Sequence, residues 1–198
     1  MIAGLILAAG ESTRMGTDKA LLTYRGRTFI ETILATLREA GVTRLAVVLG
    51  HHADEIQRVV DFTGVEVIVN RDYRQGQTSS LQAGLKALDS GAGTSVEAVL
   101  LCLVDHPAVP ADAVRALIDS FRATKSPAVI PAFKGQRGHP VLIGRALFDE
   151  LLGLGPEAGA NSVIRKYRNA TQFVEVGDAG ILLDVDDPET YRNLAAGN

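Results

Sequence analysis

The feature that most constrains this chain is the passage from an apolar run straight into a small-residue loop. Leu5 to Leu22 reads Leu-Ile-Leu-Ala-Ala-Gly-Glu-Ser-Thr-Arg-Met-Gly-Thr-Asp-Lys-Ala-Leu-Leu. Ile2 to Ala9 is short and apolar throughout, which predicts a central parallel strand buried on both faces. Gly10, Ser12 and Gly16 then let the backbone approach an anion closely and turn its N–H groups toward it. Arg14 supplies a planar fork and Lys19 a mobile point charge, so the loop carries the chemistry to neutralise two phosphate groups.

Two common nucleotide loops are excluded. Gly-x-x-x-x-Gly-Lys-Ser/Thr is absent, and Gly10 to Gly16 lacks the Gly-x-Gly-x-x-Gly spacing of a dinucleotide fold. Leu7-Ala8-Ala9-Gly10-x-Ser12-x-Arg14-Met15-Gly16-x-x-Lys19 instead resembles, nearly letter for letter, the signature loop of the MobA-like nucleotidyltransferases.

Further along, apolar spacing predicts helices at Thr28 to Ala40, Ala53 to Val60, Thr78 to Leu88, Ala111 to Phe121, Ala146 to Leu152, Asn161 to Tyr167 and Pro188 to Ala196. Strands are expected at Leu45 to Leu49, Val65 to Val69, Ala98 to Val104, Ala128 to Pro131, Pro140 to Ile143, Gln172 to Val176 and Ile181 to Val185. This alternation argues for an α/β fold, a doubly wound and mostly parallel sheet with helices on both faces. In such folds ligands sit beyond the carboxyl ends of strands, where Gly10 to Lys19, Asn70 and Asp105 should gather. Gly91 to Ser95 is a small-residue loop, and no linker or repeat divides the chain, so residues 1–198 read as a single domain.

Composition narrows the function classes. Twenty Lys and Arg against 23 Asp and Glu give a net charge of −3, so no basic field exists for a nucleic-acid backbone or an anionic membrane. With no Trp, four Tyr and six Phe, a base-stacking platform is not expected either. Val99 to Val104 is far short of the roughly 20 apolar residues a membrane helix needs. No Lys or Arg precedes Ile2, so no export signal is read. The single cysteine, Cys102, lies inside an apolar run; a buried, inert thiol in a reducing cytoplasm is the expectation.

The resemblance assigns roles to particular residues. Leu103-Val104-Asp105-His106-Pro107 is similar to the family's strand-Asp-x-Pro segment, which makes Asp105 a metal ligand, and a carboxylate is a hard oxygen donor suited to Mg²⁺. Leu183-Asp184-Val185-Asp186-Asp187-Pro188-Glu189 resembles the family's Asp-x-Asp-Thr-Pro-Glu segment. One of Asp184 and Asp186 is expected to join Asp105. Two residues before the proline is the family's usual ligand position, which favours Asp186 and leaves Asp184 toward the acceptor; a helix N-cap is the competing role for Asp186.

Asn70, Gly76, Thr78, Ser79 and Ser80 resemble the family's nucleotide-contacting Asn and Gly-x-Ser-x-Ser-Leu stretch, joining Leu7, Ala8, Ala9, Gly10, Ser12, Arg14 and Lys19. Gly138-His139-Pro140-Val141 resembles the turn of the molybdopterin-directed branch, so His139 either meets the acceptor or makes a structural turn bond. The chain departs from the family at Gly155 to Asn161, where an aspartate and arginine are missing, and at His106, where Met or Gln is usual. His51 and His52 are adjacent, diverge on a turn, and are not read as metal ligands.

The function so implied is Mg²⁺-dependent transfer of CMP from CTP, or GMP from GTP, to the phosphate of molybdopterin, with pyrophosphate released. Arg14, Lys19, Asp105 and Asp186 carry the catalysis, and a molybdoenzyme receiving the product is the expected partner. Three other readings share the fold: a sugar- or alcohol-phosphate nucleotidyltransferase, an NAD(P)H-dependent oxidoreductase, and a non-catalytic cofactor-binding partner.

Overall fold

A computed structural model describes residues 1–13, 15–90 and 95–196; Arg14 and most of the small-residue loop at 91–95 lie outside them. In chain order the strands are β1 (Ile2–Ala8), β2 (Thr23–Tyr24), β3 (Arg27–Thr28), β4 (Arg44–Leu49), β5 (Val65–Val69), β6 (Ala98–Leu103), β7 (Ala128–Phe133), β8 (Gln136–Arg137), β9 (Val141–Gly144) and β10 (Gln172–Glu175). The helices are α1 (Phe29–Glu39), α2 (Ala53–Val59), α3 (Gln77–Ser90), α4 (Ala111–Thr124), α5 (Phe148–Leu152), α6 (Ala160–Lys166) and α7 (Pro188–Ala196).

Among the described residues one sheet runs β10-β7-β9-β6-β1-β4-β5, with β8 paired to β7. Strand β1 lies in its interior, between β4 and β6 and parallel to both. Its alternation divides the core in two: Ala3, Leu5 and Leu7 pack into one cluster and Ile6 and Ala8 into the other. Both faces of β1 are therefore dry, as the unbroken apolar run requires. Helix α1 covers the second cluster with Ile30, Ile33, Leu34 and Leu37, each fully buried side chain contributing about 2 kcal/mol. It starts at a reciprocal capping box between Thr28 and Glu31. On the opposite face α3 approaches β1 so closely that a Cβ at Gly84 would fall 2.5 Å from Leu5 Cδ1.

The mostly parallel, doubly wound expectation holds, and one exception matters for the site. Strand β9 runs antiparallel to both β6 and β7. Its preceding turn, Gly138 to Pro140, is thereby delivered to the carboxyl edge of β6 beside Asp105.

Two local predictions need correction. Thr23 to Thr28 forms a two-stranded hairpin whose central residues, Arg25 and Gly26, have φ of 50° and 77°; no strand was expected there. Ile181 to Val185 is not a strand, since Ala179–Leu182 forms a 3₁₀ turn capped by Asp178, which accepts from the Gly180 N–H at 2.7 Å. Rather than joining one ladder, the segment bonds separate elements: His139 N donates to Ile181 O, and Val185 N to Asp105 O, both at 2.9 Å. Alternating apolar residues met the period of a strand, but the partners that would make one are missing. No helix among the described residues is long and apolar enough to cross a membrane.

Candidate active site

The chain leaves β1 at Ala8 and turns through Gly10, Ser12 and Gly16, of which Ser12 and Gly16 hold φ of 49° and 65°. Ser12 anchors this loop twice: its carbonyl accepts from Met15 N at 2.9 Å and its Oγ from Lys19 N at 3.1 Å. Asp18 then caps the short 3₁₀ turn Lys19–Leu21 by accepting from Ala20 N at 3.0 Å. With its backbone so fixed, Lys19 extends under the loop. Its Nζ lies 3.3 Å from Asp105 Oδ2 and pairs with Asp186 Oδ1.

Asp105 follows the end of β6, where Val104 N still donates to Leu7 O at 3.1 Å and extends the parallel pairing. The Val185 bond to the Asp105 carbonyl brings the Asp184 to Asp186 segment alongside. One of its two aspartates was expected to join Asp105, but the segment brings both of them near it. Asp186 reaches Lys19, while donor atoms of Asp105, His106 and Asp184 all lie within 4.8 Å of one another. Nor is Asp186 the helix cap. Asp187 takes that part for α7, accepting from Glu189 N and Thr190 N at 2.9 Å each.

The acidic group fits a divalent cation. Asp105 Oδ1 is buried without a hydrogen-bond partner, a state that costs free energy until a cation or donor meets it. Burial, then the neighbouring Asp105 and Asp186 charges, hold the Asp184 carboxyl above its ordinary value. Asp105, Asp184 and Asp186 are hard oxygen donors of the kind that bind such ions.

A cleft of about 310 Å³ opens over these groups. Leu7, Ala8, Ala9, Gly10, Ser12, Lys19, Gly76, Ser80, Asp105 and Asp186 line it, so the loop and the carboxylates meet in one place. Other members of the expected set stand behind its wall. Asn70 donates to Ser79 Oγ and Ser80 Oγ at 2.9 and 3.0 Å and accepts from Asp72 N at 3.0 Å, which braces the turn carrying Gly76. Thr78 turns away and donates to Ala158 O at 2.7 Å, tying the wall to the divergent segment Gly155 to Asn161. Tyr73, Thr13, Gln77 and Asp18 also line the cleft. Sequence reasoning missed them; only for Asp18 was there a signal, its place next to Lys19.

His139 is partly buried, with its ring centroid 4.6 Å from that of His106. It also borders a second cavity of about 280 Å³ lined by Arg137, Arg165, Arg168 and Phe173. Desolvation, and then the His106 charge, push His139 down to about 4, and desolvation lowers His106 as well. Both shifts favour the neutral form of the rings. Acid sensitivity follows. His139 protonates less readily folded than unfolded, so its contribution is complete above the unfolded value of about 6.5 and is lost as pH falls toward 4. Denaturant titrations in EDTA at pH 7.5 and 4.5 should differ by up to about 3 kcal/mol from this residue, and His139→Gln should narrow that gap. An unchanged gap would assign the acid sensitivity to other groups. Cys102 is buried near the carboxyl end of β6, and desolvation pushes its thiol up to about 12, far from any nucleophilic role.

Residues 4–171 match the family model described as a MobA-like NTP transferase domain. Nicotine blue oxidoreductase of Paenarthrobacter nicotinovorans is 30% identical, the alignment covering 98% of this chain and 96% of that protein. Molybdenum cofactor cytidylyltransferase of Escherichia coli (strain K12) is 25% identical over 94% of this chain and 92% of its own length. Among solved structures, Rv0371C of Mycobacterium tuberculosis H37Rv in complex with manganese superposes with a TM-score of 0.82 at 29% identity, covering 100% of this chain and 99% of that one. The glycine loop, its buried lysine and Asp105 at the end of β6 thus stand within a match spanning most of the sequence, and the chain belongs to the MobA-like NTP transferase family and is a nucleotidyltransferase.

Proposed function

We propose that this nucleotidyltransferase moves CMP from CTP, with GTP as the alternative donor, to the terminal phosphate of molybdopterin and releases pyrophosphate. The observation that carries this reading is the convergence of the glycine loop, Lys19 and the carboxylates Asp105 and Asp186 on one cleft. It is supported further by likeness over 94% of the chain to a protein named molybdenum cofactor cytidylyltransferase.

In this reading the acceptor phosphate attacks the α-phosphorus, a new P–O bond forms, and the bond to the β-phosphate breaks. The attacking phosphate needs no general base, because a monoester with a second pKa of about 6 is already mostly ionised at pH 7. Positioning and charge neutralisation therefore dominate. The N–H groups of Gly10 to Ser12, with Lys19 and Arg14, hold the β- and γ-phosphates and stabilise charge developing on the leaving pyrophosphate. Asp105, Asp186 and Asp184 would hold Mg²⁺, which supplies Lewis-acid neutralisation of phosphate charge when bound. Gly76 and Ser80 face the nucleoside, and Asn70 and Ser79 keep them in place. Neutral His139 borders the acceptor side, where it adds a polar surface without adding charge.

Pyrophosphate release measured with each of the four NTPs and Mg²⁺, with and without molybdopterin, tests the proposal. Release with CTP that depends on the pterin is the expected result; GTP in its place moves the reading to the guanylyl branch. Absence of release with any pairing would overturn molybdopterin as acceptor. A sugar or alcohol phosphate is then the next acceptor to assay, the reading favoured by the divergent Gly155 to Asn161 segment that Thr78 ties to the cleft wall. The oxidoreductase reading draws on the 30% identity to nicotine blue oxidoreductase and predicts NAD(P)H binding that no divalent ion affects.

A further inference from the structure

A second group of metal-ligating side chains comes together beside the glycine loop, apart from the acidic cluster. Asp18 and Lys19 are neighbours in sequence, yet Lys19 extends to Asp105 while Asp18 faces the turn between β4 and α2. That turn carries His51 and His52. Their rings do not diverge, as adjacency had suggested: the centroids lie 3.7 Å apart at an interplanar angle of 35°. Donor atoms of Asp18, His51 and His52 all fall within 4.8 Å of one another.

Two of these donors are buried and unmatched. The Asp18 side chain is only 6% exposed; Oδ1 takes the Ala20 N–H, and Oδ2 has no hydrogen-bond partner. His51 Nδ1 is likewise buried with no partner. His52 Nδ1 stands 3.8 Å from Asp18 Oδ2, too long for a hydrogen bond, and the same nitrogen stands 3.9 Å from Glu55 Oε2. Protonating His52 would offset the Asp18 charge but leave His51 Nδ1 unsatisfied. A cation seated among the three answers both orphan atoms at once. Burial raises the Asp18 carboxyl above its ordinary value, the sign of a carboxylate short of positive charge.

The backbone holds this arrangement in place. His51 N donates to Ala9 O at 3.2 Å, which pins the histidine turn to the end of β1. Gly50, just before it, passes so close that a Cβ would lie 2.7 Å from both Ala9 O and Tyr73 Cβ. His52 occupies the N-cap position of α2 but makes no side-chain capping bond, so its imidazole is not committed to the helix.

We propose that Asp18, His51 and His52 form a second metal site, selective for a borderline ion such as Zn²⁺ or Co²⁺ and distinct from the oxygen-donor site at Asp105. Two imidazoles and one carboxylate suit ions of that class, whereas Mg²⁺ prefers oxygen donors alone. Three protein ligands leave a coordination position open toward the cleft that Asp18 lines. The site joins the phosphate loop to the β4–α2 turn, one residue from Lys19.

Co²⁺ titration of the untagged, chelator-treated full chain, followed by visible absorption, tests this. One ion should bind with the intense ligand-field bands of a nitrogen-ligated, low-coordinate site, and excess Mg²⁺ should not displace it. His51→Ala and His52→Ala should each weaken binding about a hundredfold, while Asp105→Asn leaves it intact. His52 is half exposed, so its variant keeps the fold even where His51→Ala does not, and thermal melts of both confirm this. Unchanged Co²⁺ affinity in folded His52→Ala, displacement by Mg²⁺, loss in Asp105→Asn, or no binding at all would each overturn the proposal.

Discussion

Asp105→Asn lowers nucleotidyl transfer on the order of a thousandfold and leaves the fold intact. The substitution keeps the volume and planarity of the side chain but removes one negative charge at the centre of the acidic group. Asp105 belongs to neither apolar cluster, so no core packing is lost. Its backbone carbonyl, which accepts from Val185 N, is unaffected, and the Asp184 to Asp186 segment stays docked. Repulsion among the three carboxylates also eases, since Asp105 and Asp186 both contribute to raising the Asp184 carboxyl. The melting temperature should accordingly hold or rise slightly. Pyrophosphate release against divalent-ion concentration, alongside a thermal melt, is the check. A variant that kept wild-type activity and metal dependence would show that the ion is held elsewhere.

Lys19→Ala reduces turnover by about 10²–10³-fold, the usual consequence of removing one charge that stabilises a developing anion. Its effect on metal binding should run the other way. In the nucleotide-free chain the Lys19 ammonium sits against Asp105 Oδ2 and Asp186 Oδ1, with its side chain only 11% exposed. Removing it takes one positive charge away from those oxygens, so a divalent ion should bind the nucleotide-free variant more tightly than the wild type. Stability falls by about 2 kcal/mol, a buried charge pair being broken but both carboxylates keeping partial access to water. Calorimetric Mn²⁺ titration combined with single-turnover kinetics separates the two effects. Turnover equal to wild type would remove Lys19 from catalysis, and weaker ion binding would mean that the lysine helps to shape the metal site.

Much of this architecture was legible in the chain. The dry run of Ile2 to Ala9 could only be a strand covered on both sides, and its place beside the N-terminus and ahead of a cationic loop set the loop at the carboxyl edge of the sheet. Helix α1 was marked by its apolar spacing and by Thr28 and Glu31 at the interval of a capping box. Such signals are local: they depend on residues a few positions apart, and tertiary contacts reinforced them here. Asp105 was legible for a related reason, since a carboxylate ending a fully apolar strand would not be tolerated there without a partner.

Other features depended on partners that no local pattern names. Leu183 and Val185 alternate as a strand would, yet Leu183 N bonds to Gly180 O within its own turn and Val185 N to Asp105 O, so the segment coils and carries both Asp184 and Asp186 toward Asp105. The serine and threonine cluster after Gly76 looked like one binding surface, but Asn70 draws Ser79 into its own hydrogen bonds and Thr78 bonds Ala158, leaving Ser80 at the cleft. His51 and His52 were expected to diverge, whereas the left-handed backbone of His52, with φ of 51°, turns the two rings face to face.

By itself the sequence determined the phosphate-loop chemistry, the order of strands and helices, and the chain's membership of its family, because these reside in residue type and in periods of two and 3.6. Only the tertiary structure decided which carboxylates share a site, that Lys19 serves as their counter-charge, and that Asp18 meets the two histidines. The reason is that side-chain direction in an irregular segment is set by long-range hydrogen bonds and by the antiparallel entry of β9, and neither leaves a periodic trace in the chain.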